Sequence, residues 1–170
     1  MTSSEARERL IMRLRELAIV TSPIVPYPEH RTVEEGKALR GNMVGTFTKN
    51  LLLKDKKGHL FLVVAHEDQA IDLKTLHKRL LASGRVGFAA PEQMRSVLEI
   101  EPGALTPFAI INDVECRVVV AIDGSLMKAG QLNFHPMVQT ESIGVSPNDL
   151  LEFVTSCGRE PRLINMNLAD

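Results

Sequence analysis

The feature that most constrains the fold of this 170-residue chain is a pair of apolar runs on either side of one turn. Leu51-Leu52-Leu53 and Leu60-Phe61-Leu62-Val63-Val64 are uninterrupted by polar residues, and Asp55-Lys56-Lys57-Gly58 lies between them. Those four residues carry turn chemistry, so GTFTKNLLLKD and HLFLVVAH are expected to pair as a hairpin. A strand with one wet face alternates apolar and polar side chains; a strand covered on both faces does not. The hairpin therefore belongs inside a sheet with material packed on each side. With six Phe, one Tyr and no Trp, the core must come mainly from Leu, Ile, Val, Ala and Met.

The rest of the chain supplies that covering. Thr2 and Glu5 form a capping box that opens an amphipathic helix over 3–19, with Ala6, Leu10, Leu14, Leu17 and Ala18 on one face. Residues 21–30 hold three prolines and predict a connector or short edge strand. Thr32 and Glu35 predict a second capped helix to about Arg40. Asp72 is expected to cap a helix that turns Leu73, Leu76, Leu80 and Leu81 inward and ends at Gly84, and Pro91 to start another. EPGALTPFAIIND reads as a loop followed by a short strand; CRVVVAID, LNFHP and TESIGV read as strands. Ser146 and Pro147 start a helix ending near Gly158, and a last strand is expected over about 162–165. Hairpins dominate this order. The expectation is an α+β fold in one domain spanning 1–170: a curved mixed β-sheet, partly barrel-like, with peripheral helices.

Composition narrows the function classes. No apolar run approaches the ~18–20 residues that span a bilayer, and no secretory apolar region follows the charged first residues. Cys116 and Cys157 alone cannot build a disulfide framework or a CxxC metal site, so a reducing, cytoplasmic setting is expected. Cys116, beside an apolar run, reads as a buried thiol. His30, His59, His66, His77 and His135 include no pair at helical i,i+4 spacing, so neither a metal nor a cofactor is expected. A net charge of −1 argues against a bulk nucleic-acid coat. Charge is nevertheless uneven. Residues 49–60 carry Lys49, Lys54, Lys56 and Lys57 against Asp55; residues 70–90 carry Lys74, Lys78, Arg79 and Arg85 against Asp72. On a shared face they would attract phosphates; apart, they are two ordinary solvated faces.

Three ordered blocks are more specific. Thr48-Lys49-Asn50-Leu51-Leu52-Leu53-Lys54-Asp55-Lys56-Lys57-Gly58 comes first, then Gly103-Ala104-Leu105-Thr106-Pro107, then Asn133-Phe134-His135-Pro136 followed by Thr140. Together with Gly84-Arg85 and Phe88-Ala89, they resemble the YbaK/prolyl-tRNA synthetase-associated domain family, in the free-standing branch that includes PrdX and ProXp-ala. The resemblance runs from about 31 to 153. It departs at Phe47, where many relatives carry His, and at Gln139, where relatives often carry Asn; both are expected at the pocket rim.

The resemblance implies a trans-editing deacylase that hydrolyses mischarged Ala-tRNA(Pro) by metal-free, substrate-assisted ester hydrolysis. Such an ester is already activated, so positioning and charge stabilisation matter more than a strong nucleophile. Composition alone reads Lys49 as a surface lysine at a strand end. The resemblance makes it catalytic, holding the terminal phosphate or the ester carbonyl. Gly103 is implied to bring loop backbone close to the α-ammonium and a water, and His135 to line the side-chain pocket or hold the reacting water. Thr48, Asn50 and Pro107 are implied to bind substrate; Arg85, Lys54, Lys56 and Lys57 are candidate contacts to the acceptor stem. In a regular strand Asn50 faces away from Lys49, so joint contact requires a bend or a strand end.

A prolyl site rejects smaller amino acids poorly, at about 1–3 kcal/mol per methylene. A methyl-sized pocket near His135 and the 103–107 loop would admit alanine and exclude proline. The implied partners are the acceptor end of tRNA(Pro) and, transiently, prolyl-tRNA synthetase or an elongation factor, with no membrane. Cys-tRNA(Pro) as substrate, a noncatalytic nucleic-acid-binding module, and an accessory domain acting only beside a synthetase stand as alternatives.

Overall fold

The computed structural model describes residues 1–167. Helix α1 (Ser3–Glu16) begins with the expected capping box: Thr2 Oγ1 accepts the Glu5 N–H at 3.1 Å, and the Glu5 carboxylate accepts the Thr2 N–H at 2.6 Å. It stops short of 19 because Leu17 is its C-cap and Ala18 turns left-handed at φ 55°. Strand β1 (Val25–Pro26) occupies the proline-rich segment. Helix α2 (Val33–Leu39) is capped by Thr32, but Glu35 reaches the Arg31 N–H instead of Thr32, so only half of that box forms. Strands β2 (Thr46–Lys54) and β3 (Leu60–His66) make the central hairpin, in register from Thr48↔His66 to Lys54↔Leu60. Then come α3 (Leu76–Leu80), β4 (Gly87–Phe88) and α4 (Pro91–Gln93), which runs on as a π turn over Met94–Leu98. After two 3-10 turns, Pro102–Ala104 and Pro107–Asn112, the chain forms β5 (Val118–Asp123), β6 (Leu132–Phe134), β7 (Glu141–Val145), α5 (Pro147–Ser156) and β8 (Arg162–Ile164).

The strands form one mixed sheet, in the order β1-β7-β6-β2-β3-β5-β8, with β4 also on β2. The sheet stays open, with β1 and β8 as its ends, and is not a closed barrel. Its hairpin is covered on both faces, as its apolar runs require. Leu52, Leu60, Leu62 and Val64 join the larger core with Leu10, Leu14, Phe108 and Phe153. Leu53, Phe61 and Val63 join the opposite core with Leu76 and Leu80. Burying each such side chain contributes about 1.5–3 kcal/mol.

Three local expectations are corrected. The helix after Asp72 spans only Leu76–Leu80, because 72–75 form a turn in which the Asp72 carboxylate accepts the Lys74 N–H. Leu81 is left-handed at φ 55° and 82% exposed, so it does not face inward. The FAIIN segment is a buried 3-10 turn and not a strand: Pro107 sits in its first turn, and Thr106 Oγ1 accepts the Phe108 N–H. Cys116 is exposed at φ 54°, in the turn before β5. Among the described residues, no helix is long and apolar enough to cross a membrane.

Candidate functional site

A gap in the sheet creates the candidate site. Strand β6 pairs with β2 only at Thr46 and Phe47, and β4 joins β2 only at Leu53 and Lys54. Between them, the edge of β2 away from β3 has no strand beside it among the described residues. Phe47 O accepts the Glu67 N–H at 3.1 Å, which extends the β2–β3 register and sets its parity. Phe47, Lys49 and Leu51 therefore turn their backbone groups to β3, whereas Thr48 and Asn50 turn theirs to the gap.

A hollow of about 220 Å³ opens on this stretch. Thr48, Lys49, Asn50 and His135 line it with Tyr27, Phe47 and Glu67. Strand neighbours Lys49 and Asn50 both reach the hollow because it wraps the unpaired edge. The Asn50 Oδ1 atom is buried and has no hydrogen-bond partner among the described residues. Such an acceptor lacks the compensation that water would give it, a penalty of about 1–3 kcal/mol.

His135 is held in one orientation. Its Nδ1 lies 3.0 Å from Glu141 O. A carbonyl oxygen only accepts, so Nδ1–H donates and Nε2 of the neutral ring keeps a free lone pair. Burial pushes the His135 pKa down, the Glu141 carbonyl pulls it up, and nearby His30 pushes it down; the net position is below 6.5. The preceding Asn133 is structural. Its Nδ2 donates to Val44 O at 2.8 Å, its Oδ1 accepts from Gln131 Nε2 at 2.9 Å, and its own carbonyl accepts from Thr48 Oγ1 at 2.9 Å. Gly45, at φ 100°, permits this lock, since a Cβ there would lie 2.7 Å from Asn133 Oδ1. The start of β2 and the end of β6 are thereby tied, and His135 follows directly.

The rim carries residues that sequence reasoning missed. Tyr27 stacks on Phe47 at 5.6 Å between centroids, and His30 meets Tyr27 edge-on at 4.7 Å. Arg40 lies 3.9 Å over the Phe47 ring and bonds both Glu67 oxygens through one nitrogen, at 2.7 and 2.9 Å. Tyr27 is the chain's single tyrosine, in a proline-rich segment, and that was the only available signal. Phe47 does line the hollow. Gln139 does not; it lies against Gly103, where a Cβ would meet its carboxamide at 2.6 Å.

Gly103 and Pro107 are likewise absent from the lining. Pro107 is buried, and Ala104 opens with Thr2, Met137 and Gln139 onto a different hollow. Lys54, Lys56, Lys57 and Arg85 lie toward the far end of β2, roughly 16 Å from Lys49 by strand rise. The two basic segments adjoin there: Lys54 is paired with Gly87, and the Lys56 N–H donates to Ser83 O at 3.3 Å. Among the described residues, no three His, Cys, Asp or Glu side chains converge to hold a metal.

An ammonium, a neutral imidazole and an unsatisfied amide around one small hollow are groups suited to hydrolysing a charged ester. The chain belongs to the aminoacyl-tRNA editing domain family, whose profile matches residues 27–153. By class it is an aminoacyl-tRNA hydrolase. It is 37% identical over 172 residues to prolyl-tRNA synthetase associated domain-containing protein 1 of Bos taurus, covering 98% of this chain and 99% of that one. It is 32% identical over 163 residues to prolyl-tRNA editing protein ProX of Acetoanaerobium sticklandii, covering 95% and 98%. A crystal structure proposed to be a trans-editing enzyme for prolyl tRNA synthetase shares the fold, with TM-score 0.69 and 18% identity over 94% of this chain and 96% of that one.

Proposed function

We propose that the protein is a trans-editing deacylase that hydrolyses Ala-tRNA(Pro), in keeping with the prolyl-tRNA names of its relatives. The observation that carries this reading is the convergence of Lys49, His135 and the unpartnered Asn50 Oδ1 on one hollow. At about 220 Å³ the hollow lies below the ~300–1,000 Å³ of drug-sized sites, so it suits an aminoacyl group and part of the terminal ribose. It exceeds a methyl-sized slot, so any sieve against proline sits in its deepest part.

The Lys49 ammonium faces the ester carbonyl oxygen and stabilises the negative charge that builds there. Asn50 Oδ1 accepts from the α-ammonium. His135 Nε2 accepts a hydrogen bond from the attacking water or from the vicinal ribose hydroxyl, which assists. Water oxygen bonds to the carbonyl carbon, the carbon–ribose oxygen bond breaks, and the ribose oxygen takes up a proton. Alanine and tRNA leave. Gly103 and Pro107 are left out of this chemistry because neither lines the hollow. The basic turns bind the acceptor stem, and prolyl-tRNA synthetase or an elongation factor meets the protein transiently in the cytoplasm.

The test is a deacylation assay with Ala-, Cys-, Ser- and Pro-charged tRNA(Pro), with and without chelator. The expected result is fastest hydrolysis of the alanyl ester, a spared prolyl ester and no chelator effect. Preferred hydrolysis of the cysteinyl ester would replace the substrate; chelator sensitivity would overturn the mechanism.

A further inference from the structure

The Asp55 carboxylate is enclosed within the most basic turn of the chain, where the chemistry above makes no use of it. Its Oδ1 accepts the backbone N–H groups of Lys57 and His59, both at 2.9 Å. Its Oδ2 accepts the Ser83 N–H and the His59 Nδ1–H, also at 2.9 Å. The Asp55 side chain is 0% exposed, while that of His59 is 60% exposed. Ser83 lies 28 residues away in sequence, so one carboxylate bonds two separate basic segments. The Lys56 N–H returns a bond to Ser83 O, and Gly84 at φ 86° lets the Lys56 stem lie against its backbone: a Cβ there would be 2.7 Å from Lys56 Cδ.

Like charges gathered on flexible turns repel and splay. A carboxylate saturated by four donors counters that repulsion without facing an incoming phosphate. We propose that Asp55 is a positioning residue that holds Lys54, Lys56, Lys57, His59 and Arg85 as one phosphate-binding surface for the duplex part of the tRNA. This rests on the tRNA reading above. The surface lies roughly 16 Å along β2 from Lys49, a gap that a single-stranded 3′ end bridges. Phosphate contacts of this kind set register and orientation, not sequence preference.

The test compares wild type with Asp55→Asn on two substrates: alanyl-tRNA(Pro) and a short alanylated 3′-terminal oligonucleotide without the duplex. Expected for the variant is a KM for the tRNA raised about tenfold with kcat retained, and unchanged kinetics on the oligonucleotide. Titration with uncharged tRNA at several salt concentrations should show weaker binding and a log–log salt slope reduced by about one. Gly84→Ala, which keeps the carboxylate but displaces the Lys56 stem, should shift the same quantities in the same direction by less. Parallel losses on both substrates would reduce Asp55 to a folding element, and unchanged tRNA affinity in both variants would end the proposal. Weakened tRNA binding in a protein that hydrolyses neither substrate would support the surface and refute the deacylase reading.

Discussion

His135 and Glu141 are joined through a ring N–H and a backbone carbonyl 3.0 Å apart, which leaves the imidazole one free nitrogen for the hollow. Burial lowers the folded pKa from 6.5, so the ring keeps its neutral form to lower pH than an ordinary imidazole does. If neutral Nε2 takes part in hydrolysis, the acid limb of kcat/KM falls below pH 6.5 and is absent in His135→Ala. A wild-type limb at or above 6.5 would exclude His135 as its source. The same depression means that this group's contribution to stability is complete above pH 6.5 and declines as pH falls from there toward the folded pKa.

Lys49→Ala is expected to lower kcat by about 10²–10³-fold, the usual loss for one charge-stabilising donor. Affinity for uncharged tRNA should change by less than about threefold, because the basic surface is remote. Lost affinity with intact hydrolysis would mark Lys49 as a binding group only. Single-turnover deacylation and tRNA titration separate these results.

Glu67→Ala removes the partner of Arg40 where the two side chains are 15% and 11% exposed. Breaking a pair this enclosed costs about 3 kcal/mol, because the remaining guanidinium stays desolvated over Phe47. Chemical denaturation should register that loss. A change under about 0.5 kcal/mol would show that water readily replaces the carboxylate.

Asp55 gives a signature in acid. Burial alone would raise its pKa, but hydrogen bonds from Ser83, His59 and Lys57 hold it at about 2, against 3.8 for an ordinary aspartate. Its stabilisation is therefore complete above about pH 4 and is lost as pH falls toward 2. Denaturation between pH 2 and 5 should show a smaller loss of stability in Asp55→Asn than in wild type, because Glu5, Asp68 and Glu101 also carry lowered pKa values and titrate in both.

The hairpin was readable because its uninterrupted apolar runs require two cores, and Leu52 and Leu53 enter opposite ones. Thr2, Thr32 and Ser146 were readable as caps because capping is local chemistry. Pro107–Asn112 was not: a buried 3-10 turn carries the same apolar residues as a strand, and only packing distinguishes them. Lys49 and His135 emerged together through matched blocks. Tyr27, His30 and Glu67 did not, because no spacing links a proline-rich connector to the end of β3. At Gly103, glycine chemistry predicts close approach, and the structure supplies one, toward Gln139.

The absent rung between β6 and β4 separates two jobs. Lys49 and Asn50 sit on a strand zipped to β3 along its whole other side, so their placement is as rigid as the middle of the sheet. Apart from Glu67 at the end of β3, the residues lining the hollow outside β2 come from α2, the connector before it, and the β6–β7 hairpin. Substitution in α2 and the connector before it can retune which acyl group fits while Lys49 and Asn50 stay where they are.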